Sequence, residues 1–119
     1  MKDFRDLQVW HKAHELALDA YRASSGFSQH ERYGLTSQFR RAAVSIGANL
    51  AEGCGRGSDA DFARFAQIAM GSASEVEYLV LLAHDLQELS DEDRERLNGK
   101  IGEVKRMLSG LLRTLKADS

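Results

Sequence analysis

Residues 59–88 read DADFARFAQIAMGSASEVEYLVLLAHDLQE, and within them Phe62, Phe65, Ala69, Ser72, Val76, Leu79, Ala83 and Leu86 follow one another at steps of three and four. Side chains three and four apart share one face of a helix, and the 3.5-residue average is the seam of a helix packed lengthwise against others. A strand needs alternation at every second position, and no alternating run of useful length occurs in the chain. Ser58 precedes the run, and Asp59 and Asp61 fall in its first turn. That combination predicts the helix start, with a hydroxyl oxygen for a free N–H and negative charge near the positive end of the helix dipole.

Immediately upstream, Gly53, Gly55 and Gly57 stop a second helix whose seam is Leu35, Phe39, Ala42, Ile46, Asn49 and Gly53. Ser28-Gln29-His30-Glu31 reads as the capping box that starts it. Ser24-Ser25-Gly26 separates this helix from a first one, in which Val9, Trp10, Ala13, Leu16, Ala17, Ala20 and Tyr21 gather on one side. Downstream, Ser90-Asp91-Glu92-Asp93 announces a fourth helix with Leu97, Ile101, Val104, Leu108, Leu111 and Leu115 at the same spacing. The predicted helices are therefore 7–23, 29–52, 59–88 and 91–116. Short connections make successive helices antiparallel neighbours, so the expected fold is all-α, an up-down-up-down antiparallel four-helix bundle occupying 1–119 as one domain.

Composition agrees with that reading. A chain of 119 residues is long enough for one core, and the absence of proline leaves long helices without their main breaker. With 43% hydrophobic and 29% charged residues, the chain falls outside the disordered and low-complexity classes. The one cysteine, Cys54, excludes an internal disulfide and a several-cysteine metal site, which suits a reducing cytoplasm. The stretch Met1-Lys2-Asp3-Phe4-Arg5-Asp6 lacks the apolar core of a signal peptide, and no apolar run approaches the ~20 residues that span a bilayer. A cytoplasmic location with no membrane contact is expected. Sixteen Lys+Arg against eighteen Asp+Glu give a net charge of −2, whereas a dedicated nucleic-acid binder carries a positive excess. Charge is also uneven along the chain: residues 24–57 carry +2 and residues 58–89 carry −5, which suits packing of the two central helices within or between subunits.

No pattern of catalytic residues emerges. The Glu-x-x-His pairs of a di-iron bundle are missing, as are a Gly-x-Ser-x-Gly elbow and a Gly-Lys-Ser/Thr phosphate loop, and no histidine lies near Cys54 in sequence. His11, His14 and Glu15 share a helical face but have no matching ligand at the same depth elsewhere, so packing or surface roles are expected for them. The glycine-rich stretch 53–57 with Arg56 has the form of an anion cradle, yet Asp59 and Asp61 would repel an anion, and it reads as an interhelical turn. The expectation is a protein that is not an enzyme, with no catalytic residue, cofactor or metal.

Two surfaces remain. Tyr78-Leu79-Val80-Leu81-Leu82-Ala83 spans more than one turn, so its side chains point all round the axis. Tyr78, Val80, Leu81 and Leu82 are the candidate contacts of a homo-oligomer, unless the helix is central and covered by Lys and Arg stems. The back of the second helix carries Ser37, Arg41, Ser45, Ala48 and Glu52, either a second contact surface or a solvated polar face. Arg41, Asn49, Glu52 and Arg56 are candidates for an internal or intersubunit polar network.

The blocks Asp3–His14 and Glu31–Ile46, followed by Asn49-Leu50-Ala51-Glu52-Gly53, Gly55-Arg56 and Gly71-Ser72-Ala73-Ser74-Glu75, resemble one family over nearly the whole chain. It is the family of bacterial four-helix bundle proteins first noticed in intervening sequences of 23S ribosomal RNA genes. The resemblance implies a cytoplasmic homopentameric ring or barrel, without a cofactor and without an established enzymatic function. Its kinship extends to the accessory variability determinant of diversity-generating retroelements, a basic pentamer linked to nucleic acid and a reverse transcriptase; the present chain is slightly acidic instead. The family commonly carries a proline after Ile46, where this chain has Gly47, a residue that permits a bend without imposing one. The leading functional expectation is a non-enzymatic homo-oligomeric scaffold, pentameric, whose second and third helices build the contacts. The alternative is a nucleic-acid-binding accessory protein that contacts RNA or DNA backbone through Arg40, Arg41 and Arg56 repeated around a ring.

Overall fold

The computed structural model describes residues 3–118, and the side chains of 3–116 among them. Met1 and Lys2, part of the N-terminal stretch read for a leader, lie outside the described residues. Four helices account for most of the chain: α1 (Gln8–Ser24), α2 (Leu35–Cys54), α3 (Asp59–Asp85) and α4 (Asp91–Asp118). Two single turns of 3-10 helix, Phe4–Asp6 and Gln29–Glu31, precede α1 and α2, and there is no strand among the described residues. Each helix packs on its two neighbours in the cycle α1, α2, α3, α4, the arrangement of an up-down-up-down bundle. At 1.5 Å per residue the 28 residues of α4 extend about 42 Å, close to the 45 Å long axis of the molecule. No helix among the described residues is long and apolar enough to cross a membrane.

Most of the seam residues of α1, α2 and α4 enter the core, with Leu16, Phe39, Ile46, Leu97, Ile101 and Leu108 fully buried, but Trp10, Ala17 and Asn49 are half-buried, Tyr21 is exposed, and Leu50, outside the expected α2 seam, is fully buried. In α3 the stripe is wider than the seam. Ala66, Ala73 and Val80, spaced by seven, are buried beside Phe62, Phe65, Ala69, Val76, Leu79 and Ala83. A straight helix at 3.6 residues per turn drifts off a strict 3.5 repeat, and this second row widens the buried stripe. Leu86, the last member of the predicted seam, caps the helix and is half exposed.

Both serine-led starts at the C-terminal half form as expected. Ser58 Oγ accepts from Asp61 N–H at 3.2 Å, and Ser90 Oγ accepts from Asp93 N–H at 3.1 Å. The start of α2 differs from the expected capping box. Ser28 turns away to α3's far end, donating its N–H to Glu88 Oε1 at 2.5 Å and its hydroxyl to Glu88 Oε2 at 2.6 Å. Those bonds hold the Glu88 carboxyl below the ordinary carboxylate range. Glu31 serves the helix directly instead, its Oε1 accepting from Leu35 N–H at 3.2 Å. Gly34, with φ −110° and ψ −104°, breaks the helical path, so α2 begins at Leu35 rather than near residue 29.

At its other end α2 runs on to Cys54, and its glycines are explained by proximity. A Cβ on Gly53 would lie 3.0 Å from both Phe62 Cδ1 and Phe65 Cβ, so glycine lets α3 fold back tightly on α2. Gly57, at φ +86°, completes the turn. α2 is continuous through Gly47, whose missing Cβ leaves room for Trp10 Nε1 at 3.3 Å. The opposite charges of α2 and α3 do not meet as ion pairs. The two helices touch through apolar side chains, a Ser45 Oγ to Ser72 Oγ hydrogen bond of 2.8 Å and a long 3.5 Å bond from Gln38 to Glu75.

Candidate functional site

The four candidates for one polar network are separated into independent local pairs. Arg41 donates from Nη2 to Ser37 Oγ at 2.9 Å, one turn back on its own helix. Asn49 donates from Nδ2 to the Ser45 carbonyl at 2.8 Å and to Ser45 Oγ at 2.9 Å, which ties it into the α2–α3 seam. Glu52 and Arg56 pair with each other, Oε2 to Nε at 3.1 Å, while the Arg56 guanidinium lies 5.0 Å from the Phe65 ring centre. Helix geometry explains the separation, because Arg41 and Arg56 stand about 22 Å apart along the axis. For the same reason Arg56 does not join Arg40 and Arg41 in one patch of a single chain.

Of the candidate oligomer contacts, Val80 is fully buried, in the second apolar row of α3, and is withdrawn from any outer surface. Leu82 is half-buried against the core. Tyr78 and Leu81 remain outside, 57% and 52% exposed. The all-round apolar run therefore splits: Leu79, Val80 and Ala83 belong to the bundle, Tyr78 and Leu81 to its surface.

A larger apolar feature lies between α1 and α2, and Trp10, Ala17 and Tyr21, expected within the core stripe of α1, line it instead. Phe4, Trp10, Leu18 and Tyr21 form one wall and Val44 the other, over a floor of Ala17, Gly47, Ala48 and Ala51, enclosing a groove of about 440 Å³. Phe4 meets Trp10 edge-on at 4.8 Å, and His14 stacks flat on Trp10 at 5.0 Å, so the wall is held rigid by its own rings. His11 is engaged nearby, its Nε2 2.7 Å from the Arg5 carbonyl. The two histidines thus have separate packing roles, and among the described residues no group of three or more His, Cys, Asp or Glu could hold a metal. Trp10 and Tyr21, counted in the expected α1 stripe, recur with His14 and Leu18 at steps of three and four beside the residues that α1 buries, and Val44, Ala48 and Ala51 do so on α2. That doubled spacing was the available signal.

On the other side of α1 the finish is ionic. The Asp19 side chain, 4% exposed, accepts from Arg96 Nε and Nη2, both at 2.9 Å, and Lys100 Nζ lies 3.1 Å away. The two bonds from Arg96 hold the Asp19 carboxyl below its ordinary 3.8; burial opposes this and Lys100 assists it. Arg96, which also reaches Asp93 at 2.6 Å, is held protonated more firmly than usual, by Asp19 first.

A third feature sits where α1 ends and α2 begins. Arg32, Arg40 and Arg41 gather there with Tyr21, Tyr33 and Ser37 around an open depression of about 450 Å³. Arg40 is anchored by Nε to Ser24 Oγ at 2.7 Å and by Nη2 to the Tyr21 carbonyl at 3.3 Å, with its guanidinium 4.6 Å from the Tyr21 ring centre. Tyr33 is 90% exposed.

The family model of the 23S rRNA-intervening sequence protein matches residues 5–110, nearly the whole chain. The chain belongs to the 23S rRNA-intervening sequence protein family. The fold is shared with a protein of unknown function from the S23 ribosomal protein family of Bacteroides thetaiotaomicron VPI-5482, whose crystal structure superimposes with a TM-score of 0.82 at 26% identity. The likeness covers 88% of this chain and 95% of that one. No curated protein matches. The Asp19 cluster, the arginine corner and all of the α1–α2 groove except Phe4 fall within the matched residues, so they belong to the family domain rather than to an appendage.

Proposed function

We propose that the chain is a non-enzymatic scaffold subunit that assembles with copies of itself, as a pentamer. The observation that carries this reading is the α1–α2 groove, whose walls and floor are almost entirely apolar and find no cover within the bundle. Burying such surface is favourable at roughly 25 cal/mol per Å², and no helix among the described residues lies across it. Tyr78 and Leu81 add an apolar ridge on a different helix, α3. A groove on one face and a ridge on another make a head-to-tail contact, and head-to-tail contacts close as rings when the rotation permits. The number of copies, five, is what the chain's resemblance to the family implies. His11, His14 and Cys54 support the non-enzymatic part of the reading, since the histidines serve packing partners and the thiol is buried.

Light scattering across a dilution series tests it. A stable mass near five times 13.2 kDa is expected. A mass that stays at 13.2 kDa at every concentration would overturn the assembly.

A further inference from the structure

The arginine corner has a composition that assembly does not explain. Three guanidinium groups and two tyrosine rings line it with hydroxyl groups between them, and no acidic residue does. Among the described residues no carboxylate lies within 4 Å of Arg32, Arg40 or Arg41, in a chain whose net charge is −2. Glu31 accepts from the Leu35 N–H, and Glu75, which shares an adjoining depression with Tyr33 and Arg41, accepts from Gln38 at 3.5 Å. Arg40 uses two of its five N–H groups internally and Arg41 one, which leaves a fan of donors directed at the depression. An exposed aromatic residue is ordinary by itself. Tyr33 differs in standing beside those donors with its ring open, the Arg32 guanidinium lying 5.8 Å from its centre.

We propose that this corner binds a nucleotide unit, with its phosphate held by Arg32, Arg40 and Arg41 and its base stacked on Tyr33. Guanidinium forks match phosphate oxygens in geometry and charge, and tyrosine offers a face that accepts any base. The negative net charge does not oppose this, because charges beyond about 8–10 Å are screened at physiological salt while the corner acts at contact distance. The same chemistry is presented by a free nucleotide and by one unit of a single-stranded RNA or DNA. The corner is complete within one chain, so the inference goes beyond the assembly reading and stands without it.

The test measures binding of adenosine monophosphate, adenosine, and a 5′-labelled single strand about ten nucleotides long to the full chain at about 50 mM and about 200 mM salt. Adenosine monophosphate should bind and adenosine should not, with affinity falling as salt rises. Tyr33→Ala and Arg32→Gln, both at exposed positions, should each weaken binding about tenfold with the helical circular dichroism unchanged. Binding of the strand well above that of the mononucleotide assigns the site to nucleic acid, and comparable binding assigns it to a free nucleotide. Failure of both to bind at low salt, equal binding of adenosine, or affinity unchanged in both variants would overturn the proposal.

Discussion

On its α4 side, α1 presents Asp19 to Arg96 and Lys100 and closes the seam with charge; on its α2 side it presents Trp10, Leu18 and Tyr21 beside Val44 and Ala48 and leaves an apolar groove open. The carboxylate is satisfied entirely within the chain, with its hydrogen bonds short and its partners on one helix. The groove is rigid and lined, yet its apolar atoms face outward. A buried charge must find its partner during folding because leaving it unpaired is costly, whereas an apolar surface can wait for a second molecule. On the proposed reading, the two flanks separate what folding completes from what assembly would complete.

The largest effect expected from breaking this contrast is at the ionic flank. Arg96→Met leaves Asp19 buried with Lys100 alone and should destabilise the chain by about 2–4 kcal/mol, below the range for a fully enclosed pair because Arg96 is 43% exposed. Adding Asp19→Leu should restore most of that loss, which urea denaturation of the single and double variants will read. The pH dependence follows from the same carboxyl. Its value is lower in the folded chain than in the unfolded one, so its contribution is fully present above the ordinary 3.8 and is lost as pH falls through the depressed folded value. The acid side of the stability profile should therefore be shallower in the double variant than in the wild type.

A second contrast uses two glycines of one helix. Gly53→Ala places a methyl group 3.0 Å from Phe65 Cβ and from the Phe62 ring, where α3 itself must move, and should cost about 1–2 kcal/mol after helix propensity is credited. Gly47→Ala meets only the edge of Trp10 at 3.3 Å, beside the open groove, where the ring has somewhere to go. Stability should change by no more than about 0.5 kcal/mol, while the emission of Trp10, the one tryptophan, shifts. Equal losses at both positions would show the groove flank to be as closed as the core.

Much of this molecule is legible in its sequence, and the exceptions share a physical cause. Seam spacing locates four helices and most of the core, and Ser58 and Ser90 mark two starts correctly because their bonds are local. Ser28 misleads because its partner, Glu88, is sixty positions away and no local pattern encodes it. Val80 misleads because a seam counted at 3.5 leaves out the second row that a 3.6-residue helix buries. The polar residues of α2 look like one network in a list of positions and become three local pairs along the helix axis. Arg32 and Tyr33 escape notice as site residues because only the turn before α2 brings them beside Arg40 and Tyr21.

The smallest effect on the isolated chain should accompany the largest on its assembly. Ala48 is exposed on the groove floor, so Ala48→Glu should alter folding stability by no more than about 0.5 kcal/mol while placing a charge where a second copy is to pack. The measurement that tests the account most directly is the light-scattering mass of Ala48→Glu beside that of the wild type at equal concentration. The account predicts an assembled wild type and a folded variant of 13.2 kDa. A variant that keeps the wild-type mass, or a wild type that is itself a monomer, would contradict it.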